Sequence, residues 1–217
     1  PQALLFDFDY TLADSSIAVV ACANHALKGM GLEPASPDAI RRTIGLSLPD
    51  TLAALAGEEH RSRALEFRRL WRELSDHIMV RDTKLLPGMV EALEPLREKG
   101  LRLGIVSTKY RSRIEAVLDR EQAAYLFDTI VGGEDVVEHK PHPEGLLRAL
   151  EQLDLAASAT LYVGDSTTDA SAAERAGVEF IAVLSGVTEE AEFAGHQTRA
   201  VVGGLSELQG LLGSLGA

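Results

Sequence analysis

Asp7 and Asp9 stand two residues apart in DFDYTLADSS, directly after the apolar run ALLF. Residues two apart on a regular strand share a face, so the spacing predicts two carboxylates side by side at a strand end. One can act as a nucleophile while its neighbour moves protons. The same oxygens suit a hard divalent cation. Further groups follow later apolar runs: Ser107, Thr108 and Lys109 after LRLGIV, Gly133, Glu134 and Asp135 after DTIVG, and Asp165, Ser166 and Asp169 after TLYVG. Lys140 stands in HKPHPEG. Each piece alone has a plain explanation, because Asp, Ser and Thr after a strand often cap the next helix. Their convergence on one sheet edge, in this order, is harder to obtain by chance.

That edge requires a particular scaffold. Strands are expected at 3–6, 101–106, 128–132, 160–164, 179–184 and 200–203, short and apolar as buried parallel strands are. Amphipathic helices are expected at 88–99, 111–121, 143–153, 167–176 and 205–213. The alternation predicts an α/β fold: a doubly wound, Rossmann-like parallel sheet, whose ligands bind beyond the strands' carboxyl ends. Residues 15–86 break the rhythm and read as four helices, near 15–29, 37–43, 49–56 and 58–78. Ser36-Pro37 marks a helix start, Gly31 and Gly57 suit helix ends, and Leu65, Leu70, Trp71 and Leu74 are assigned to one buried face. The expected division is a core of 1–14 and 87–217 with an all-helical cap of 15–86.

Composition narrows the functions. The chain has 217 residues, 46% hydrophobic and 25% charged, with a formal net charge of −12. That charge argues against nucleic acid or an anionic membrane as a partner, but not against a small phosphate held by local groups. The one cysteine, Cys22, lies in an apolar stretch and reads as a buried hydrophobe in a reducing compartment. No run approaches a membrane span and no signal pattern is seen, so a cytoplasmic location is expected. A calcium loop does not fit, because Leu12 stands where glycine is needed. Cysteine-rich zinc sites are excluded by the cysteine count, and neither phosphate-binding glycine loop is present.

The sequence resembles the haloacid dehalogenase superfamily over its whole length. Four signatures carry the resemblance: Asp7-Phe8-Asp9-Tyr10-Thr11, then Ser107 after GIV, then Lys140 before proline, then Gly164-Asp165-Ser166-Thr167-Thr168-Asp169. The helical insertion and the stretches TIGLSLPDTL and GIVSTK resemble the phosphoglycolate phosphatase and pyrophosphatase branch. The resemblance implies a Mg²⁺ cofactor and hydrolysis of a small phosphorylated metabolite through an aspartyl phosphate. It assigns Asp7 as nucleophile, Asp9 as acid and base, and Ser107 and Lys140 as further catalytic groups. The implied metal ligands are Asp7, Asp9 through its carbonyl, Asp165 and Asp169, the last holding a metal-bound water or Lys140. Substrate contacts are expected from Ser107, Thr108, Lys109, Tyr10 and Gly45.

Asp9 favours a phosphatase over the dehalogenases, which lack aspartate there. The cap offers only Lys28 and Lys84, in no context suggesting the Schiff base of the phosphonate-cleaving branch. Pyrophosphatase and β-phosphoglucomutase-like phosphotransfer remain alternatives, as does a silent phosphate-binding protein, in a monomer or a homodimer. Arg41, Arg42 and Thr43 could meet an anionic tail, though a solvated helix face explains the arginines equally well. Lys109 suits phosphate contact and a helix start equally. Glu134 and Asp135 could approach the metal shell through water, though helix capping fits them better, and the six histidines form no ligand-spaced pair. Tyr10 stands where the family usually has glycine. A bulky side chain at positive φ is costly, so an ordinary backbone is expected there, with the ring packed at the cap hinge or turned to the leaving group.

Overall fold

The computed structural model describes residues 1–215. The first strand, β1 (Ala3–Phe6), has every residue buried. It leads to a two-residue strand, β2 (Ala13–Asp14), and four helices: α1 (Ser16–Gly29), α2 (Pro37–Arg41), α3 (Leu48–Ala56) and α4 (Ala64–Asp82). A second two-residue strand, β3 (Lys84–Leu85), closes this insertion. The remainder alternates: α5 (Met89–Glu98), β4 (Arg102–Val106), α6 (Arg111–Arg120), β5 (Thr129–Val131), α7 (Glu144–Leu153), β6 (Thr160–Gly164), α8 (Thr167–Ala176), β7 (Glu179–Val183), β8 (Thr198–Val202) and α9 (Leu208–Leu215).

The six main strands form one parallel sheet in the order β5-β4-β1-β6-β7-β8. The chain leaves β1 toward β4 and β5, then returns to its other side through β6. The switch point therefore lies at the carboxyl end of β1, where ligands bind in such sheets. Register aligns Phe6 with Ile105 on one side and Val163 on the other. Asp7, Ser107 and Asp165 consequently emerge on one edge. Alternation along β1 feeds both faces. Leu4 and Phe6 join the core under α5, α6 and α9, while Ala3 and Leu5 join the core under α7 and α8.

The insertion carries a third apolar cluster of its own, centred on Leu27, Ile40, Leu52, Phe67 and Trp71. Ser36 Oγ accepts from Ala39 N at 3.2 Å, with Pro37 opening α2, as the sequence predicts. Two expectations change. The fourth helix begins with a 3₁₀ stretch, Glu58–Arg63, and α4 continues to Asp82. Leu65 is 80% exposed rather than on the buried face, because the cluster takes only Phe67, Leu70, Trp71 and Met79 from that helix as fully buried contacts. The insertion docks on the sheet edge through polar contacts. Thr108 Oγ1 donates to Gly45 O (3.1 Å), Arg68 Nη2 to Tyr110 Oη (2.9 Å), and Arg113 Nη2 to Ser75 Oγ (2.8 Å) and Asp76 Oδ1 (2.6 Å). Among the described residues no helix is long and apolar enough to cross a membrane.

The expectation for the Tyr10 backbone is overturned: its φ is 62°. The tight loop from β1 to β2 explains why. Tyr10 N donates to Ala13 O at 2.6 Å, and Ser185 Oγ donates to Tyr10 O at 2.6 Å, so both backbone groups are fixed. The side chain is 8% exposed, near Asp14 and Ser16, and burial, then Asp14, pushes its hydroxyl up to about 12. The ring thus packs at the joint between hinge and insertion. Tyr10→Gly should relieve ~1 kcal/mol of left-handed strain but lose ~3 kcal/mol of aromatic burial. Urea unfolding should show a net loss of about 2 kcal/mol; a gain in stability would mean that strain outweighs packing.

Candidate active site

Asp7 opens the loop after β1 and is 2% exposed; its N–H donates to Val163 O at 2.9 Å. Asp165 follows β6 at 5% exposure and accepts from Thr11 Oγ1 at 3.3 Å. Asp169 sits in the first turn of α8, where Ser166 caps the helix: Ser166 Oγ accepts from Asp169 N (3.2 Å) while Asp169 Oδ2 accepts from Ser166 N (3.1 Å). Oxygens of these three carboxylates lie within 4.8 Å of one another. Lys140 reaches into the cluster from the loop before α7. Its Nζ is 2.6 Å from Asp169 Oδ1 and 2.8 Å from Asp7 Oδ1.

One ammonium does not balance three buried carboxylates. Burial, reinforced by Asp169 and Asp9 and opposed by Lys140, raises Asp7 to about 6. Burial, with Asp169 and Asp7, holds Asp165 well above the usual carboxylate range. Burial works against the Lys140 charge, but Asp169 and Asp7 outweigh it and keep the lysine protonated. Asp7 Oδ1, although close to that ammonium, receives no properly directed hydrogen bond. An unsatisfied carboxylate oxygen, surplus negative charge and all-oxygen donors together fit a hard divalent cation. Gly186 keeps that side of Asp165 open, since a Cβ there would stand 2.0 Å from Asp165 Oδ2.

Asp9 faces elsewhere. Its Oδ1 accepts from Ser15 Oγ at 2.6 Å and its Oδ2 lies 3.0 Å from Lys109 Nζ. The carboxylate cluster therefore holds three of the four expected aspartates, and only the backbone carbonyl of Asp9 is left for a ligand role. Asp9, Thr108, Lys109 and Gly45 line a cavity between sheet edge and insertion. Gly45, at φ 94°, presents its carbonyl to Thr108. Ser107 is 7% exposed behind this wall, its Oγ accepting from Lys109 N at 3.3 Å. Tyr10 does not reach the cavity lining. Glu134 and Asp135 do cap: Glu134 accepts from Arg111 N, and Asp135 from Gly132 N. Arg41 pairs with Asp38 and stays outside the cavity, as does Arg42, while Thr43 lines it.

Sequence reasoning missed Tyr162 and Ser15. The Tyr162 hydroxyl accepts from Lys140 Nζ (3.1 Å) and lies 2.9 Å from Asp169 Oδ1 and 3.0 Å from Val106 O, either of which can take its hydrogen. Its signal was one polar-tipped aromatic in the otherwise apolar strand TLYVG.

The raised Asp7 carboxyl has a consequence for stability. A folded value near 6 against 3.8 unfolded means that its neutral form favours folding. That contribution is fully present below about pH 4 and lost as pH rises through about 6. Asp7→Asn escapes the loss. In EDTA, its stability relative to wild type should rise from near zero at pH 4 to at most ~3 kcal/mol above pH 6, at ~1.4 kcal/mol per unit. Added Mg²⁺ should stabilise wild type more than the variant. A variant less stable than wild type at pH 7.5 in EDTA would contradict the charge imbalance.

The family model described as haloacid dehalogenase-like hydrolase matches residues 4–183. A phosphoglycolate phosphatase of Aquifex aeolicus is 34% identical over 186 residues, covering 85% of both proteins. A pyrophosphatase of Bacillus mycoides is 28% identical, covering 96% of this chain and 95% of its own. A haloacid dehalogenase-like hydrolase from Bacteroides fragilis, known by crystal structure, superposes with a TM-score of 0.92 at 41% identity, covering 95% of this chain and 99% of that one. With its four signatures assembled at one sheet edge and a family match over most of its length, this chain belongs to the haloacid dehalogenase-like hydrolases.

Proposed function

We propose that the protein is a Mg²⁺-dependent phosphatase of a small phosphorylated metabolite, acting through an aspartyl phosphate. The observation that carries this reading is the split between two aspartates two residues apart. Asp7 sits in the buried cluster with Lys140, while Asp9 is the one of the two that lines the cavity. Relatives named phosphoglycolate phosphatase and pyrophosphatase support the class. Residues 15–86 are then a cap over a core of 1–14 and 87–217.

Asp7, Asp165 and Asp169 would hold the cation, with the Asp9 carbonyl. Bound Mg²⁺ supplies charge neutralisation for a phosphoryl group that would otherwise repel an anionic nucleophile. Asp7 attacks phosphorus and its carboxylate oxygen forms the new P–O bond, while the ester P–O bond breaks. Asp9 donates a proton to the departing alkoxide, then takes one from the water that cleaves the aspartyl phosphate. Ser15 and Lys109 hold the Asp9 carboxylate in the orientation in which it takes that second proton. The Ser107 hydroxyl and the Thr108 N–H bind equatorial oxygens, and Lys140 offsets the charge that develops there. The Thr108 hydroxyl is spent on Gly45 and ties the cap down.

The test is phosphate release from phosphoglycolate, pyrophosphate and 4-nitrophenyl phosphate, with Mg²⁺ and again with EDTA. Chelation should abolish release, and Asp7→Asn should lower kcat at least ~1000-fold on every substrate. Asp9→Asn should cost ~100-fold or more on alkyl esters but less on 4-nitrophenyl phosphate, whose leaving group departs without a proton. Near-normal turnover by Asp7→Asn would remove the nucleophile assignment. Pyrophosphate turned over well above both esters would favour the pyrophosphatase reading suggested by the Bacillus relative.

A further inference from the structure

The cavity between insertion and sheet edge encloses about 630 Å³. That is within the ~300–1,000 Å³ of pockets that enclose drug-sized ligands. A two-carbon acid of five heavy atoms fills only on the order of 150 Å³ at ~30 Å³ per water-sized group. The volume is not a gap left by an undocked insertion. Thr108 reaches Gly45, Arg68 reaches Tyr110 and Arg113 reaches Asp76 across it.

The wall is mixed in a specific way. Trp71, Leu48 and Tyr110 give it an apolar and aromatic lining, and Leu65 and Val137, 80% and 84% exposed, face solvent among its lining residues. Four cations also line it, and two are already used: Lys109 by Asp9, and Arg113 by Asp76 and Ser75. The other two are not. Arg68 bonds only the neutral Tyr110 hydroxyl, and Arg72 makes no ion pair or hydrogen bond among the described residues. They stand four apart on α4, where like charges repel. The chain carries 33 acidic against 21 basic residues, so carboxylates are not scarce. The lining acids offer no relief, because Asp9 holds Lys109 and Glu134 caps α6.

The helix fixes the spacing. Met79 meets the catalytic end, its Sδ 3.6 Å from Lys109 Nζ. At ~1.5 Å rise per residue, the Cα atoms of Arg72 and Arg68 stand about 10 and 16 Å from that of Met79 along the axis. A carboxylate two carbons from the ester oxygen reaches only about 4 Å at ~1.5 Å per bond. We propose that the substrate is a phosphomonoester whose leaving group is an apolar or aromatic body carrying a second anionic group, carboxylate or phosphate, which Arg68 and Arg72 receive. This deepens the phosphatase reading and rests on it.

The test uses four synthetic or simple esters with the full chain and Mg²⁺: phosphoglycolate, phenyl phosphate, 3-phenylpropyl phosphate and 3-(4-carboxyphenyl)propyl phosphate. The carboxylated ester should exceed both phosphoglycolate and 3-phenylpropyl phosphate by at least about tenfold in kcat/KM, chiefly through KM. The double variant Arg68→Gln/Arg72→Gln should lower the carboxylated-to-uncharged ratio at least about fivefold. Arg69→Gln, which breaks a pair with Glu73 outside the cavity, should leave that ratio in place. A preference for phosphoglycolate, a wild-type ratio near one, or a ratio unmoved by the double variant would overturn the proposal while leaving the phosphatase reading intact. Absence of phosphate release from all four esters would overturn the phosphatase reading and this proposal together.

Discussion

Three carboxylates share one lysine in a place that water hardly reaches, and much of the molecule follows from that imbalance. Asp7, Asp165 and Asp169 are each at most 5% exposed, and Lys140 is the one ammonium among them. Such a cluster opposes folding unless a cation joins it. The sheet supplies the compensation. β1 is buried on both faces and feeds two apolar cores, so the edge that carries the surplus charge is anchored by the most protected strand of the fold. Tyr162 and the α8 cap then fix Asp169, which fixes Lys140. The lysine is placed by a chain of hydrogen bonds as much as by charge.

The same constraint separates the two aspartates of the first loop. Asp7 is confined among like charges, and its carboxyl is pushed up. Asp9, two residues on, escapes the cluster and is held by Ser15, beside α1, and Lys109, beyond β4, which also meet each other at 3.3 Å. One group therefore belongs to the sheet edge and the other to its boundary with the insertion. Asp9 therefore lines the cavity between sheet edge and insertion, whereas Asp7 stays in the carboxylate cluster behind it.

Much of this was legible in the sequence because its signals are local. ALLF and TLYVG are continuous apolar runs ending in aspartate, and Ser36-Pro37 and Ser166 announce helix starts by their chemistry. What escaped depends on contacts distant along the chain. Tyr162 looks like strand packing until Lys140 and Asp169 converge on its hydroxyl. Ser15 acquires a role only when the insertion returns it to Asp9. β2 and β3 have two residues each, too few for any periodic pattern. The left-handed backbone of Tyr10 is not legible in its side-chain preference, because the loop sets it. Ala13 and Ser185 clamp its backbone groups, and that clamp outweighs a steric penalty of ~1–2 kcal/mol.

The pairing of those two short strands has a consequence for how such a chain can change over time. Asp14 lies opposite Lys84, so the insertion's two ends are antiparallel neighbours, about 5 Å apart in such pairs. Loop closure is already complete at that point, and lengthening or replacing what lies beyond adds little entropic penalty. The helices beyond that pair can therefore vary in length and number without shifting the register of the six-stranded sheet.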